Sequence, residues 1–267
     1  MSIDLVVMDR IAEITLNQPE ALNALSPAAL AELNCVLIEA RDNPEVRVIL
    51  LHGAGERAFC TGANLKGTLP TETPFVNGFF SSREQANESG NYARLFDLSS
   101  LRIDKPMIAA INGYCLGGGL ELALQCDLRV ASSTASFGLT EPVVGSIPAV
   151  GGVPLLLRAI PSALAMRMLL TGEKIDADQA LAYGLVSNVW EPESLLAETR
   201  HLAGTIASNA PLAVQMIKRL ARDSANMSLS EAIRLNDVYW GLLRDTGDRI
   251  EGRKAFGEKR RPRFTGQ

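Results

Sequence analysis

The sequence predicts an α/β fold, and three observations lead to that prediction. A pair of short strand patterns opens the chain, buried-strand patterns then alternate with helical ones, and only helical patterns follow from about Ser194 to the end. We therefore expect a core over residues 1–195 that carries the functional site, and a helical region over residues 196–267.

Local signals predict the individual elements in chain order. Residues 3–17 form a hairpin that turns near Asp9, because apolar and β-branched residues dominate both halves. Ser26 followed by Pro27 starts a helix that ends near Asn43. Further elements are expected as buried strands at 46–53, 107–112 and 127–132, a polar helix at 84–101 and a short helix at 119–125.

Composition and charge narrow the class of function. The 267 residues carry a formal net charge of −4 and a pI near 5.4, which argues against nucleic acid as a partner. A small molecule or another subunit is the expected partner. We expect neither a signal peptide nor a membrane span. The four cysteines form no CxxC pair and are interpreted as reduced thiols of a cytoplasmic protein: Cys35, Cys60, Cys115 and Cys126.

Histidine is not expected to carry the chemistry. The chain has only His52 and His201, and neither lies in a turn beside a candidate nucleophile or at metal-ligand spacing from a cysteine. Both are interpreted as structural, and no metal site is predicted.

The most distinctive pattern is INGYCLGGGLELAL, residues 111–124, where a strand leads through Gly117, Gly118 and Gly119 into a short helix. Consecutive glycines at a helix start let a ligand approach free main-chain N–H groups. A phosphate loop is disfavoured, because the GxGxxG spacing is missing and Glu121 in the first turn would repel phosphate. A developing oxyanion beside an acid–base carboxylate fits better. A packing role for the glycines is the alternative.

Two more segments carry candidate chemistry. The small-residue turn ERAFCTGANL, residues 56–65, can expose a second N–H donor, and an oxyanion hole requires two. Glu141 lies in the apolar, proline-bounded stretch SFGLTEPVVGSIP, residues 136–148. Its carboxylate is either a helix cap or a group with a raised pKa that is suited to proton transfer near neutral pH.

Together these segments resemble the crotonase (enoyl-CoA hydratase/isomerase) superfamily, and among its members an enoyl-CoA hydratase. The resemblance spans essentially the whole chain and rests on QPEALNAL (18–25), AFCTGANLK (58–66), KPMIAAINGYCLGGGLELALQCDLRVAS (105–132), FGLTEPVVGSIPAVGG (137–152), LLTGEKIDADQALAYGLVSNV (169–189) and AFGEKRRPRF (255–264). It implies a spiral of ββα units followed by C-terminal helices that assemble a homotrimer or a homohexamer.

The resemblance also implies roles for single residues. The main-chain N–H groups of Ala63 and Gly118 would form an oxyanion hole for a thioester carbonyl. Glu121 would deprotonate a water that attacks the third carbon of a 2-enoyl-CoA, and Glu141 would position that water and protonate the second carbon. The product would be a 3-hydroxyacyl-CoA. Many relatives with other activities keep one carboxylate, so the presence of both favours hydration.

Coenzyme A contacts are implied at Ala24, Ala58, Lys66, Phe256 and Lys259. The last two lie in a basic stretch, residues 249–263, and would reach the ligand of a neighbouring subunit. A solvated basic helix end is the alternative for the arginines of this stretch. No metal or redox cofactor is expected, because coenzyme A is part of the substrate.

The sequence departs from the family pattern in places that concern the acyl group. Asn64 and Gly67 stand where acidic residues are common, and Thr140 and Pro142 change the usual surroundings of the glutamate between them. Residues 68–91 are expected to wall the acyl pocket. The alternatives are an enoyl-CoA isomerase, a hydratase for an aromatic or carnitinyl thioester, a non-catalytic oligomeric binding protein, and an NAD-dependent oxidoreductase, which the missing GxGxxG disfavours.

Overall fold

The computed structural model describes residues 2–64 and 95–267, and these contain ten strands in two sheets. One sheet has six strands in the order β1-β2-β3-β5-β7-β10, and the other has four in the order β4-β6-β8-β9. The strands are β1 Ile3–Met8, β2 Ile11–Leu16, β3 Val48–Gly53, β4 Ala58–Cys60, β5 Met107–Ile111, β6 Tyr114–Leu116, β7 Leu128–Ser132, β8 Ser136–Gly138, β9 Ile175–Asp176 and β10 Asn188–Trp190.

Nine α-helices lie within the described part of the chain. They are α1 Pro27–Asp42, α2 Gly118–Leu124, α3 Gly152–Ala159, α4 Ser162–Thr171, α5 Ala177–Ala182, α6 Leu195–Ala207, α7 Pro211–Ser224, α8 Leu229–Leu243 and α9 Gly247–Gly257. Short 3-10 helices occur at Pro19–Ala21, Ser99–Leu101 and Glu141–Val144. The predicted α/β fold is confirmed.

The large sheet forms as its strand patterns predict. β1 and β2 make an antiparallel hairpin whose turn residues, Asp9 and Arg10, both have positive φ, as the tight turns that suit strand twist require. The remaining neighbours in this sheet pair in parallel. Every residue of β3 and β5 is buried, because apolar residues cover both faces of the sheet.

The start of α1 is also as predicted. The Ser26 hydroxyl accepts a hydrogen bond from the N–H of Ala29 at 3.1 Å, which satisfies one of the free donors at the helix start. The predicted polar helix at 84–101 falls outside the described residues up to position 94, and its last residues are not α-helical. There the Asp97 side chain accepts from the N–H of Ser99 and Gln125 accepts from the N–H of Leu98, so side chains take up donors that an α-helix would use.

The small sheet positions the candidate site. β4 and β6 are parallel neighbours, with Cys60 opposite Cys115, so their carboxyl ends point the same way. Residues 61–63 follow the first of these strands, and residues 117–119 follow the second. The two segments that the sequence singles out as donor loops therefore leave the sheet side by side.

The C-terminal region is helical, as predicted. α6 packs on the large sheet through Leu195, Ala203 and Ala207, whereas α7 and α8 bury no residue fully. Large apolar side chains are exposed on these last helices: Ile217, Leu229, Ile233, Val238, Trp240, Leu242, Ile250 and Phe256. Among the described helices, none combines the length and apolarity needed to cross a membrane. The division of the chain near residue 195 stays a prediction.

Candidate active site

The two donor loops are in direct contact through glycine. Gly62 has φ +89°, and a Cβ built on it would lie 2.8 Å from the main-chain N of Gly118. A side chain at this position would therefore clash with the start of α2, and the left-handed backbone conformation also favours glycine. The close approach brings Ala63 and Gly118, the predicted donors, onto neighbouring turns.

Leu25 fixes the direction of the first donor loop. Its N–H donates to the carbonyl of Gly62 at 2.8 Å, and its carbonyl accepts from the N–H of Asn64 at 3.1 Å. This short parallel bridge holds the residues on both sides of Ala63 and leaves the Ala63 N–H pointing the other way. Within residues 2–64 and 95–267, no main-chain carbonyl accepts a hydrogen bond from the N–H of Ala63 or of Gly118.

Glu121 lies in the first turn of α2 and is 2% exposed. Its Oε1 accepts two main-chain hydrogen bonds, from the N–H groups of Val150 and Gly152, each at 2.8 Å. Burial raises the pKa of this carboxyl, and the hydrogen bonds from residues 149–152 offset part of that shift. The carboxylate is thus held in one orientation and made more basic than an exposed glutamate.

Glu141 begins the 3-10 helix that follows β8. Its Oε1 lies 3.1 Å from where a Cβ on Gly117 would be, so the carboxyl rests against the start of the second donor loop. The other oxygen, Oε2, is buried and has no hydrogen-bond partner among the described residues. Burial raises the pKa of Glu141, and the negative charge of Glu121 raises it further.

The arrangement suits a reaction that needs one base and one acid together. The negative charge of Glu121 acts on Glu141 and makes ionisation of that carboxyl less favourable, so the two groups are linked electrostatically. The helix start at Gly118 and the turn at Ala63 supply N–H groups next to them. Such a site can stabilise negative charge on an oxygen while a proton is added or removed nearby.

Sequence reasoning gave no role to residues 149–152, which orient Glu121. The sequence signal for this contact is the glycine pair Gly151 and Gly152, which lies in a segment that contributes to the family resemblance. Phe96 was missed as well. Its ring carbons lie 3.1 Å from where a Cβ on Gly118 would be, so it packs against the second predicted donor.

Comparisons with known proteins show the family to which the chain belongs. Residues 7–267 match the family described as enoyl-CoA hydratase/isomerase. The chain belongs to the enoyl-CoA hydratase/isomerase family. It is 46% identical over 266 residues to (E)-benzylidenesuccinyl-CoA hydratase from Thauera aromatica, with 100% of each chain covered. It is 35% identical over 256 residues to crotonyl-CoA hydratase from Syntrophomonas wolfei subsp. wolfei, with 96% of this chain and 95% of the relative covered.

Solved structures give the same result. The crystal structure of enoyl-CoA hydratase from Bacillus anthracis matches with a TM-score of 0.89 and 34% identity, over 100% of both chains. The predictions of the family, of its fold and of an enoyl-CoA hydratase are confirmed.

The structure places the predicted coenzyme A contacts in two separate regions. Ala24 and Ala58 adjoin Asn23, whose side chain donates to the Ala58 carbonyl at 2.7 Å. Phe256 is 87% exposed near the end of α9, and Lys259 follows it on the surface. Lys66 lies outside the described residues, as do Gly67 and residues 68–91.

One arginine of the basic stretch, Arg260, is paired with acidic side chains. Arg260 forms ion pairs with Glu251 and Glu258 at 2.6 Å. The hydrogen bonds from Arg260 and from the N–H of Arg263 lower the pKa of Glu251 to about 2. These contacts favour the alternative of a surface helix end for Arg260, and the role of Lys259 stays a prediction.

The histidine interpretation agrees with the contacts of His52, which lie within the large sheet. Its Nε2 is 3.0 Å from the Thr15 hydroxyl and 3.2 Å from a Glu13 carboxylate oxygen. Burial raises the pKa of the Cys60 and Cys126 thiols to about 12, and raises that of Cys115. The described residues contain no cluster of three or more His, Cys, Asp or Glu side chains that could hold a metal ion.

Proposed function

We propose that this chain hydrates a 2-enoyl-CoA thioester with Glu121 and Glu141 as its acid–base pair. The observation that carries the proposal is the pairing of one buried and one partly buried carboxyl, both with raised pKa, beside two adjoining main-chain N–H donors. The proposed chemistry uses groups of the chain alone and calls for no metal or redox cofactor. Coenzyme A enters as part of the substrate.

The Ala63 and Gly118 N–H groups bind the thioester oxygen and stabilise the negative charge that forms on it during attack. Loss of one such donor typically reduces the rate about a hundred- to a thousandfold. The ionised Glu121 takes a proton from a water as that water attacks carbon 3. Glu141 holds the same water through its unpaired Oε2 and delivers a proton to carbon 2.

A spectroscopic assay tests this assignment. Hydration of crotonyl-CoA removes the conjugated thioester, so its absorbance falls with time. We expect turnover by the wild type and near-complete loss in Glu121→Gln and Glu141→Gln, because an acid–base group contributes about a hundred- to ten-thousandfold. Circular dichroism of both variants should match the wild type. Turnover at the wild-type rate in both folded variants would overturn the assignment.

For the acyl group, we propose a bulky, aromatic 2-enoyl thioester. The support is the 46% identity over the whole chain to a hydratase of (E)-benzylidenesuccinyl-CoA, compared with 35% to a crotonyl-CoA hydratase. The test compares kcat/KM for crotonyl-CoA, cinnamoyl-CoA and (E)-benzylidenesuccinyl-CoA. A higher kcat/KM for crotonyl-CoA than for both aromatic substrates would contradict the proposal.

We also propose that the chain acts as a homotrimer or homohexamer in the cytoplasm. The support for assembly is the run of exposed apolar side chains on α8, where Leu229, Ile233, Val238, Trp240 and Leu242 are each more than half exposed. In this assembly Phe256 and Lys259 would contact the coenzyme A of a neighbouring subunit. Sedimentation velocity measures the state directly, and a monomer at micromolar concentration would contradict the proposal.

A further inference from the structure

The side chain of Asn23 ties three segments of the chain together next to the first donor loop. Its Oδ1 accepts from the N–H of Gln18 at 2.9 Å. Its Nδ2 donates to the carbonyls of Ala54 at 3.0 Å and Ala58 at 2.7 Å. The turn that precedes α1, the residue after β3 and the first residue of β4 are therefore held by one amide.

This amide has no freedom to rearrange. Asn23 is 1% exposed and has φ +54°, a left-handed conformation that asparagine tolerates better than most residues. Its Nδ2 is 2.7 Å from where a Cβ on Gly53 would lie, so the amide fills the space beside that glycine. Loss of the amide would remove these partners from main-chain groups that are partly buried at Gln18 and Ala54 and buried at Ala58.

Two short paths lead from Asn23 to the Ala63 N–H. Along the chain, Asn23 is two residues before Leu25, whose N–H and carbonyl hold the residues on either side of Ala63. Across the chain, Asn23 holds the carbonyl of Ala58, and β4 runs from there to the turn at Gly62. The position of Ala63 depends on both paths, and both begin at the same residue.

We propose that Asn23 is a positioning residue that sets the aim of the Ala63 N–H at the thioester oxygen. The inference rests on the proposed function, because it presupposes that Ala63 is an oxyanion donor. The side-chain hydrogen bonds of Asn23 go to Gln18, Ala54 and Ala58 and not to the carboxyl pair, so its effect passes through the geometry of Ala63. Since Ala24 and Ala58 also adjoin Asn23, substrate binding and donor geometry must be measured separately.

Asn23→Asp is the primary variant, because aspartate keeps the shape and the acceptor oxygen but cannot donate to Ala54 and Ala58. Asn23→Gly accepts the same φ and removes the whole side chain, which covers the case in which the aspartate variant does not fold. Thr199→Val is the matched control. Thr199 is a fully buried polar residue on α6, and its hydroxyl donates to the Leu195 carbonyl at 2.6 Å on the far side of the large sheet.

We expect kcat for crotonyl-CoA to fall about ten- to a hundredfold in the folded Asn23 variants, since a misplacement near 1 Å costs about a hundredfold. KM should change less than kcat. Thr199→Val should lose thermal stability but keep kcat. A second readout is the absorbance of bound cinnamoyl-CoA, which moves to longer wavelength when the thioester carbonyl is polarised. Asn23→Asp should reduce that shift at saturating ligand.

The two measurements separate the failure of this inference from the failure of the proposed function. If the wild type polarises cinnamoyl-CoA and both Asn23 variants keep the full shift and kcat, Asn23 is structural and the inference is wrong. If the wild type itself shows no shift, the oxyanion assignment of Ala63 and Gly118 is wrong, and the inference falls with it. A rise in KM alone would make Asn23 a determinant of coenzyme A binding and would also overturn the inference.

Discussion

Gly152→Ala tests how far catalysis depends on the orientation of Glu121. The glycine is the first residue of α3, and its N–H donates to Glu121 Oε1 at 2.8 Å. A Cβ at this position would lie 2.9 Å from the same oxygen and 2.7 Å from Cβ of Pro148. Ordinary contacts begin near 3.4 Å, so the carboxylate must move by about 0.5 Å and the loop at Pro148 must shift as well.

A shift of this size predicts a loss in kcat of about tenfold or more, because catalysis falls about a hundredfold for a misplacement near 1 Å. The assay is the decay of conjugated thioester absorbance with crotonyl-CoA at saturation. Gly204→Ala is the matched control, since a Cβ there meets nothing within 4 Å and α6 gains a better helix former. Equal kcat in Gly152→Ala, Gly204→Ala and the wild type would show that catalysis does not depend on this orientation of Glu121.

Three further predictions concern the carboxyl pair and the start of α1. The rate should fall on the acid side of the pH–rate profile with an apparent pKa above 4.5. Burial raises the pKa of Glu121, so its base form is lost at a higher pH than for an exposed glutamate. An acid limb with an apparent pKa at or below 4.5 would contradict this. In Glu121→Gln the pKa of Glu141 should fall, because the neighbouring negative charge that contributes to raising it is gone. Infrared titration of the carboxyl band in the variant and the wild type measures this change, and identical titration in the two proteins would contradict it. Ser26→Ala should reduce the free energy of unfolding by about 1 kcal/mol through loss of the α1 cap, as measured by urea denaturation, whereas an unchanged midpoint would contradict it.

Much of the fold was predictable because its signals are local. The hairpin at residues 3–17 and the buried strand at 46–53 follow from composition and periodicity over a few residues. The start of α1 is indicated by Ser26 and Pro27, and the start of α2 is indicated by the glycine run at 117–119. Each of these elements is confirmed at nearly the predicted position.

The small sheet was harder to predict because its strands are short. β4, β6 and β8 have three residues each, too few to show an alternating pattern. Their pairing also joins residues far apart in sequence, such as Cys60 and Cys115. Local sequence carries no signal for such pairs, so the contact between the donor loops could be expected only from the family resemblance.

The residues that orient the candidate catalytic groups could not be predicted from the sequence for the same reason. The N–H groups that hold Glu121 come from Val150 and Gly152, about thirty residues later. The amide of Asn23 reaches Ala54 and Ala58 across a similar distance. The two glutamates and the glycine run can be recognised in the sequence as candidate catalytic groups. The groups that orient them can be recognised only in the three-dimensional structure.

The most direct test of the account is a crystal structure of Glu121→Gln with crotonyl-CoA bound. We expect the thioester oxygen to lie about 2.7–3.1 Å from both the Ala63 and the Gly118 nitrogen, with carbon 3 facing positions 121 and 141. A thioester oxygen bound by other groups, or an acyl chain that leaves both side chains on the far side of the loops, would contradict it.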